Sequence, residues 1–156
     1  MAALCNCGFR GCLEVFASGT GIARMMKEQL ALNNTDISKD IIIETVTSES
    51  VFELYQQGNQ MAISVIETML NALSFGIVNL IHTFNPTTLI LGGGVMKNGG
   101  WILASVKERV ARIGLRSMID PVHIFRAKLG SDSGLIGAAY QSFVYKNQLM
   151  HSEGIE

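Results

Sequence analysis

The sequence has no surplus of charge, no membrane-length apolar run and no cysteine outside one short segment, and each absence removes a class of function. Lysine and arginine number 12 against 13 aspartates and glutamates in 156 residues, giving a net charge of −1 with the signs interspersed. No basic stripe is present to hold nucleic acid, and no acidic tail to signal disorder. The longest apolar stretch, from Phe75 to Ile81, is interrupted by Gly76 and Asn79 and falls short of the ~18 residues of a membrane span. The start, Met-Ala-Ala-Leu, lacks a charged segment followed by an apolar one, so no secretory signal is read and a cytoplasmic location is expected. Repeats, low-complexity tracts and interdomain linkers are also lacking, and 48% hydrophobic content is enough for one buried core. The expectation is a single domain over residues 1–156.

The pattern along the chain is that of an α/β domain with a helical majority. Val15, Ile22 and Met26 fall at helical spacing and predict one helix from Glu14 to Gln29. Residues 31–40 read as a polar connection, and the run Ile41-Ile42-Ile43 is too short to assign. Thr47 or Ser48 offers an N-cap for a helix ending near Gln57, before Gly58-Asn59. Between Gln60 and Thr83 the apolar positions Met61, Val65, Ile66, Met69, Leu70, Leu73, Ile77, Leu80 and Ile81 mark a long buried helix. Asn85-Pro86 stops it. Thr88 to Leu91 reads as a strand, followed by Gly92-Gly93-Gly94 and a helix from about Trp101 to Ile113. A second strand is read around Val122 and Ile124. Ser131 to Gly134 lead into a last helix from Leu135 to about Tyr145, with a tail from about Asn147.

The three cysteines, Cys5, Cys7 and Cys12, lie within eight residues. An odd, tight cluster suits a reducing compartment and a metal better than a disulfide framework. Gly8 and Gly11 allow the tight turns that would wrap three sulfurs around a tetrahedral zinc. Packing as small hydrophobes is the plain alternative, but the interleaved Asn6, Gly8 and Arg10 do not make a core face. Glu14 follows at once, where an acid is also favoured simply by a helix N-terminus.

Cys-x-Cys-Gly-x-x-Gly-Cys-Leu-Glu followed by Ser18-Gly19 resembles the signature of the ROK family, bacterial sugar kinases and sugar-responsive repressors of the actin-like, ribonuclease H-like ATPase fold. The resemblance runs from Cys5 to about Tyr145 and implies the carboxyl-terminal lobe of such a protein, helix-rich with a small sheet. It implies zinc on Cys5, Cys7 and Cys12, with a fourth ligand from a histidine just before the first cysteine; the residues before Cys5 here, Met1 to Leu4, contain none. Glu14 corresponds to the acid that contacts sugar hydroxyls, as a carboxylate accepting charge-assisted hydrogen bonds can do. Leu91-Gly92-Gly93-Gly94-Val95 resembles a nucleotide contact.

Taken alone, Gly92 to Gly94 are equally well a plain turn. They make no dinucleotide fingerprint, since Lys97 stands where the third glycine would be, and no Walker loop, since no Gly-Lys-Ser/Thr follows. Hexose, ATP and Mg²⁺ are the partners implied for the full-length family, and a homodimer is expected. The family's Gly-Gly-Thr phosphate loop and aspartate base have no counterpart in this sequence, so no catalytic residue is assigned. Asp36, Asp40, Asp120 and Asp132 read as caps or turn residues. Two alternatives stand beside the kinase lobe: the effector and dimerisation half of a ROK repressor, and a free-standing zinc- or nucleotide-binding module.

Overall fold

The computed structural model describes residues 3–32, 43–98 and 100–152. The polar connection at 31–40 and the isoleucine run therefore lie mostly outside the described residues. Seven helices and two short strands make up the described chain: α1 (Glu14–Ala17), α2 (Gly19–Leu32), α3 (Ser48–Gln56), α4 (Gln60–Phe84), β1 (Thr88–Leu91), α5 (Gly100–Ile113), α6 (Arg116–Ile119), β2 (His123–Arg126) and α7 (Ser133–Ser152). Single 3-10 turns precede α3, α5 and α7.

Helix α4 is the spine. Its 25 residues follow from the unbroken helical spacing of apolar residues, and both ends are set by asparagine. The Asn59 side chain accepts from the N–H groups of Met61 and Ala62, and Asn85 closes the helix in the left-handed conformation at φ 44°. An αL residue at that point frees the chain to turn, and Pro86 prevents the helix from continuing. Contrary to the sequence reading, which found no run of membrane length, α4 is by length and hydropathy able to cross a membrane. Its apolar character is accounted for by the core, however: Ala62, Ile66, Met69, Leu70, Ile77 and Ile81 are all buried there.

Around α4 stand α1, α2, α3 and α5. Thr47 and Ser50 cap α3 reciprocally, each side chain accepting from the other's backbone N–H, an arrangement that satisfies two donors the helix itself leaves free. Trp101 anchors the start of α5, stacked on Tyr55 at 5.0 Å and meeting Phe52 edge-on at 6.1 Å. Farther along, Arg109 of α5 donates to both carboxylate oxygens of Glu67 at 2.8 Å and to Asn71 at 2.6 Å. The sheet is a parallel pair, with Leu89 opposite Ile124 and Ile90 opposite Phe125, and the connection runs through α5. Leu89 and Ile124 turn toward the core.

Three departures from the sequence reading have physical causes. The helix expected from Glu14 to Gln29 is two helices, because Ser18 takes extended backbone and its hydroxyl accepts from the Gly21 N–H, starting α2 afresh. The last helix starts at Ser133 and continues to Ser152, past the point at which a tail was expected; from Tyr145 to Ser152 the sequence offers neither glycine nor proline to end it. Helix α6 was not expected. It is pinned by His82 of α4, whose Nε2 accepts the Leu115 N–H at 3.3 Å.

Two glycines mark close helix approaches of different rigidity. A Cβ on Gly21 would lie 2.5 Å from the Val15 carbonyl oxygen, which is fixed backbone, whereas one on Gly76 would meet only the Leu13 side chain, its Cδ2 at 2.7 Å. Leu13 is 41% exposed and free to swing away, and alanine gains helix propensity over glycine of about 0.5–1 kcal/mol. Gly21→Ala is therefore expected to lower stability by roughly 2 kcal/mol, and Gly76→Ala to change it by less than about 1 kcal/mol. Urea unfolding of the two variants checks the order.

Candidate functional site

The Cys loop closes on itself before α1 begins. The Cys5 N–H donates to the Phe9 carbonyl, the Gly8 N–H to the Cys5 carbonyl and the Gly11 N–H to the Ala3 carbonyl. Gly8 and Gly11 supply the positive φ values of 88° and 75° that these turns require. The result gathers the three sulfurs within 4.8 Å of one another, with Cys7 and Cys12 only 3.5 Å apart. Zinc–sulfur bonds of about 2.3 Å in a tetrahedron put sulfurs roughly 3.8 Å apart, so donor type and spacing both fit zinc. Three ligands come from this loop, and no histidine joins the cluster among the described residues.

The thiols are not equivalent. Cys7 is held below the usual thiol range, first by a hydrogen bond from the Phe9 backbone and then by those from Cys5 and Cys12. Cys12 is pushed up to about 11, chiefly because its proton is shared with the Cys7 sulfur. Of the pair, Cys7 is thus the sulfur biased toward losing its proton and Cys12 the one biased toward keeping it.

Glu14 opens α1 beside the loop, and the Cys5 thiol donates to its Oε2 at 3.6 Å. The carboxylate lines a small depression of about 90 Å³ together with Asn6, Ser18, Thr20 and Arg24. Most of that wall escaped the sequence reading. Arg24 matters most: its Nη2 donates to the Val15 carbonyl at 2.8 Å, while Nη1 pairs with Glu28 at 2.6 Å. The break at Ser18 ends α1 after a single turn, and Arg24 takes up one of the carbonyls that a continued helix would have bonded. A signal existed in the three-residue spacing of Gly21 and Arg24, one face of a helix, but their target on α1 is visible only in three dimensions.

Gly92, Gly93 and Gly94 sit where β1 hands over to the 3-10 turn Gly94–Asn98. Gly93 has φ 99°, and a Cβ on Gly93 or Gly94 would meet nothing within 4 Å. The glycine backbone is thus open to approach from solvent. Lys97, at the far end of the turn, is exposed, and its charge helps to hold the Glu49 carboxyl below its ordinary range, after the larger contributions of Glu49's own backbone N–H and the Ser48 hydroxyl. The structure brings Cys5, Cys7, Cys12 and Glu14 into one locus and builds the glycine turn from separate elements. Asp120 closes α6 and Asp132 lies in the turn before α7, whereas Asp36 and Asp40 fall outside the described residues.

A family model described as "ROK family" matches residues 1–142. A curated glucokinase of Halalkalibacterium halodurans is 36% identical over 144 residues, covering 87% of this chain and 42% of its own length. Among solved structures, a ROK family glucokinase of Streptomyces griseus in complex with glucose and AMPPNP superposes with a TM-score of 0.74 at 27% identity, over 90% of this chain and 47% of that one. A ROK family transcriptional regulator, a homologue of the Escherichia coli MLC protein, superposes at 0.64 with 22% identity, over 81% and 31%; that likeness speaks to the fold alone. The chain spans less than half the length of each of these proteins.

The inequality of the thiols is directly measurable. With limiting iodoacetamide near pH 8 and no metal, Cys7 should be alkylated well ahead of Cys12, whose labelling should rise only as the pH approaches about 11. Peptide mass spectrometry reads the order, and equal labelling at pH 8 would show the thiols to be unbiased.

Proposed function

This chain belongs to the ROK family, and from that premise we propose that it forms the carboxyl-terminal lobe of a hexose kinase, one wall of a cleft in which the γ-phosphoryl of ATP passes to a sugar hydroxyl. The observation that carries the reading is the 36% identity to a glucokinase across 87% of the chain. The family match takes in the Cys loop, Glu14 and the glycine turn together. The repressor reading has support at the level of the fold only.

Glu14 is the sugar contact. A carboxylate can accept two hydroxyl hydrogens at once, which fixes the ring's orientation, and charge-assisted hydrogen bonds are about twice as strong as neutral ones. Gly92 to Gly94 form the nucleotide contact, where absent side chains let adenosine or phosphate approach the backbone. Cys5, Cys7 and Cys12 would hold a zinc ion. When bound, zinc supplies a structural cross-link rather than chemistry, fixing the loop that leads into Glu14. The homodimer and the cytoplasmic setting belong to the same proposal.

Phosphoryl transfer further requires a phosphate cradle, Mg²⁺ ligands and a base. Asp120 and Asp132 have local duties at helix ends, and neither stands beside Glu14 in its depression. The lobe therefore needs a second one. A coupled ADP-release assay with Mg-ATP and a panel of hexoses should show no turnover by this chain alone. Fused behind the part of the H. halodurans glucokinase that it does not match, it should give sugar-dependent ADP formation. In that fusion Glu14→Gln should raise the hexose KM at least tenfold, about 1.4 kcal/mol, and leave the ATP KM within about twofold. Turnover by the isolated chain would sink the reading.

A further inference from the structure

Two of the three loop cysteines are set apart by their accessibility. Cys5 is 4% exposed, its thiol is turned to Glu14, and both its N–H and its carbonyl are bonded within the loop. Cys7 is exposed and Cys12 half-buried, and their sulfurs stand 3.5 Å apart. Sulfurs in a disulfide lie about 2.05 Å apart, so about 1.5 Å separates this pair from a covalent bond. The closeness is built into the backbone. Leu4 bridges Arg10, and the Cys5-to-Phe9 and Gly11-to-Ala3 hydrogen bonds tie the same two arms of the loop together. Between the two cysteines, Gly8 has nothing within 4 Å of where a Cβ would sit, which leaves the turn room to adjust as the sulfurs close.

We propose that Cys7 and Cys12 are a site of reversible oxidative modification, forming a disulfide within the loop when hydrogen peroxide is present and returning to two thiols under a dithiol reductant. The inference goes beyond the kinase reading and does not depend on it, since a repressor half would carry the same pair. The chemistry balances in two steps. The Cys7 sulfur, the open one, attacks a peroxide oxygen; the S–O bond forms, the O–O bond breaks, and the thiol proton leaves with the departing hydroxide as water. The Cys12 sulfur then attacks the sulfenic sulfur of Cys7; the S–S bond forms, the S–O bond breaks, and the hydroxyl leaves as a second water with the Cys12 proton. The two sulfurs together give up two electrons and one peroxide accepts them. Because Cys12 already stands in contact with Cys7, the second step is intramolecular and outruns further oxidation of Cys7.

Disulfide and metal exclude each other at this loop. Zinc is held by thiolate sulfur and takes about four ligands. With Cys7 and Cys12 bonded to each other, only Cys5 remains of the three. The segment leading into Glu14 therefore has two cross-linked forms, and peroxide converts one into the other.

The test uses the whole chain, reduced, freed of metal, treated with hydrogen peroxide, then unfolded, alkylated and mapped by peptide mass spectrometry. The expected product is one intrachain Cys7–Cys12 disulfide with Cys5 alkylated, and dithiothreitol should restore three thiols. In Cys12→Ser, dimedone should trap a sulfenic acid on Cys7. The disulfide should form at least about tenfold faster in the native chain than in urea, because the fold holds the two sulfurs together. Measured against a competing chromophoric chelator, the oxidised chain should bind zinc at least about a hundredfold more weakly than the reduced one. A principal disulfide through Cys5, disulfides between chains, equal rates in the native and unfolded chain, or undiminished zinc affinity after oxidation would each overturn the proposal. Zinc uptake by neither form would remove the metal reading and uphold the disulfide, which the mapped bond alone decides.

Discussion

Helix α4 has to bury one continuous apolar stripe along 25 residues, and every other element takes its place from that requirement. A stripe of this length cannot be covered by one partner. Helices α1, α2 and α3 pack along it, α5 lies against it farther on, and α6 is fastened near its end through His82. Burying a Leu, Ile or Met side chain fully contributes about 1.5–3 kcal/mol. The fully buried Ile66, Met69, Leu70 and Ile81 thus hold more stability in one helix than its polar contacts supply. Against that, the Arg109–Glu67 pair is half exposed on its acidic side, with side-chain exposures of 15% and 45%. It fixes the register of α5 on α4 more than it adds energy.

The candidate site inherits its position from the same spine. Leu13, between the last cysteine and Glu14, rests against Gly76 of α4, and Val15 on the other side of Glu14 is buried. The carboxylate is therefore bracketed by the buried Val15 and by Leu13, which packs on α4 but is half exposed, while remaining exposed itself. Arg24 and Gly21 complete the bracket from α2, one by taking up the Val15 carbonyl and the other by having no side chain to hold the helices apart. A single-turn helix has little stability of its own. What fixes the direction of Glu14 is tertiary, and the Cys loop adds a second constraint through the Cys5–Glu14 contact.

How much of this was legible in the sequence depends on the range of the interaction. Features decided within one helical turn were readable: the Thr47 cap, the stop at Asn85-Pro86, the glycine turn after β1, and the clustering of Cys5, Cys7 and Cys12 with Glu14. The break at Ser18 was missed because Val15, Ile22 and Met26 keep their helical spacing across it, and the competing hydroxyl-to-backbone bond leaves that periodicity intact. Arg24 was missed because its target lies nine residues away on a different helix. The real end of α7 was missed because decreasing apolarity after Tyr145 looks like a tail, although nothing there breaks a helix.

The two halves of the molecule differ in how complete they are. On the α4 side, apolar residues face apolar residues and most polar groups are capped or paired, the buried Ser74 hydroxyl and Arg24 Nε being exceptions among the described residues. On the sheet side, a parallel pair stands with one face bare, and α7 carries four large apolar side chains that are each more than 60% exposed. Conformational entropy of about 1–2 kcal/mol per residue has to be offset wherever backbone is ordered. In α7 the offset cannot come from side chains left in water. Along its exposed first half, α7 rests on its own backbone hydrogen bonds and on the 3-10 turn from which it emerges. The same sequence that closes a helical layer around α4 leaves one face of its two-stranded sheet and the apolar side chains of α7 open to solvent.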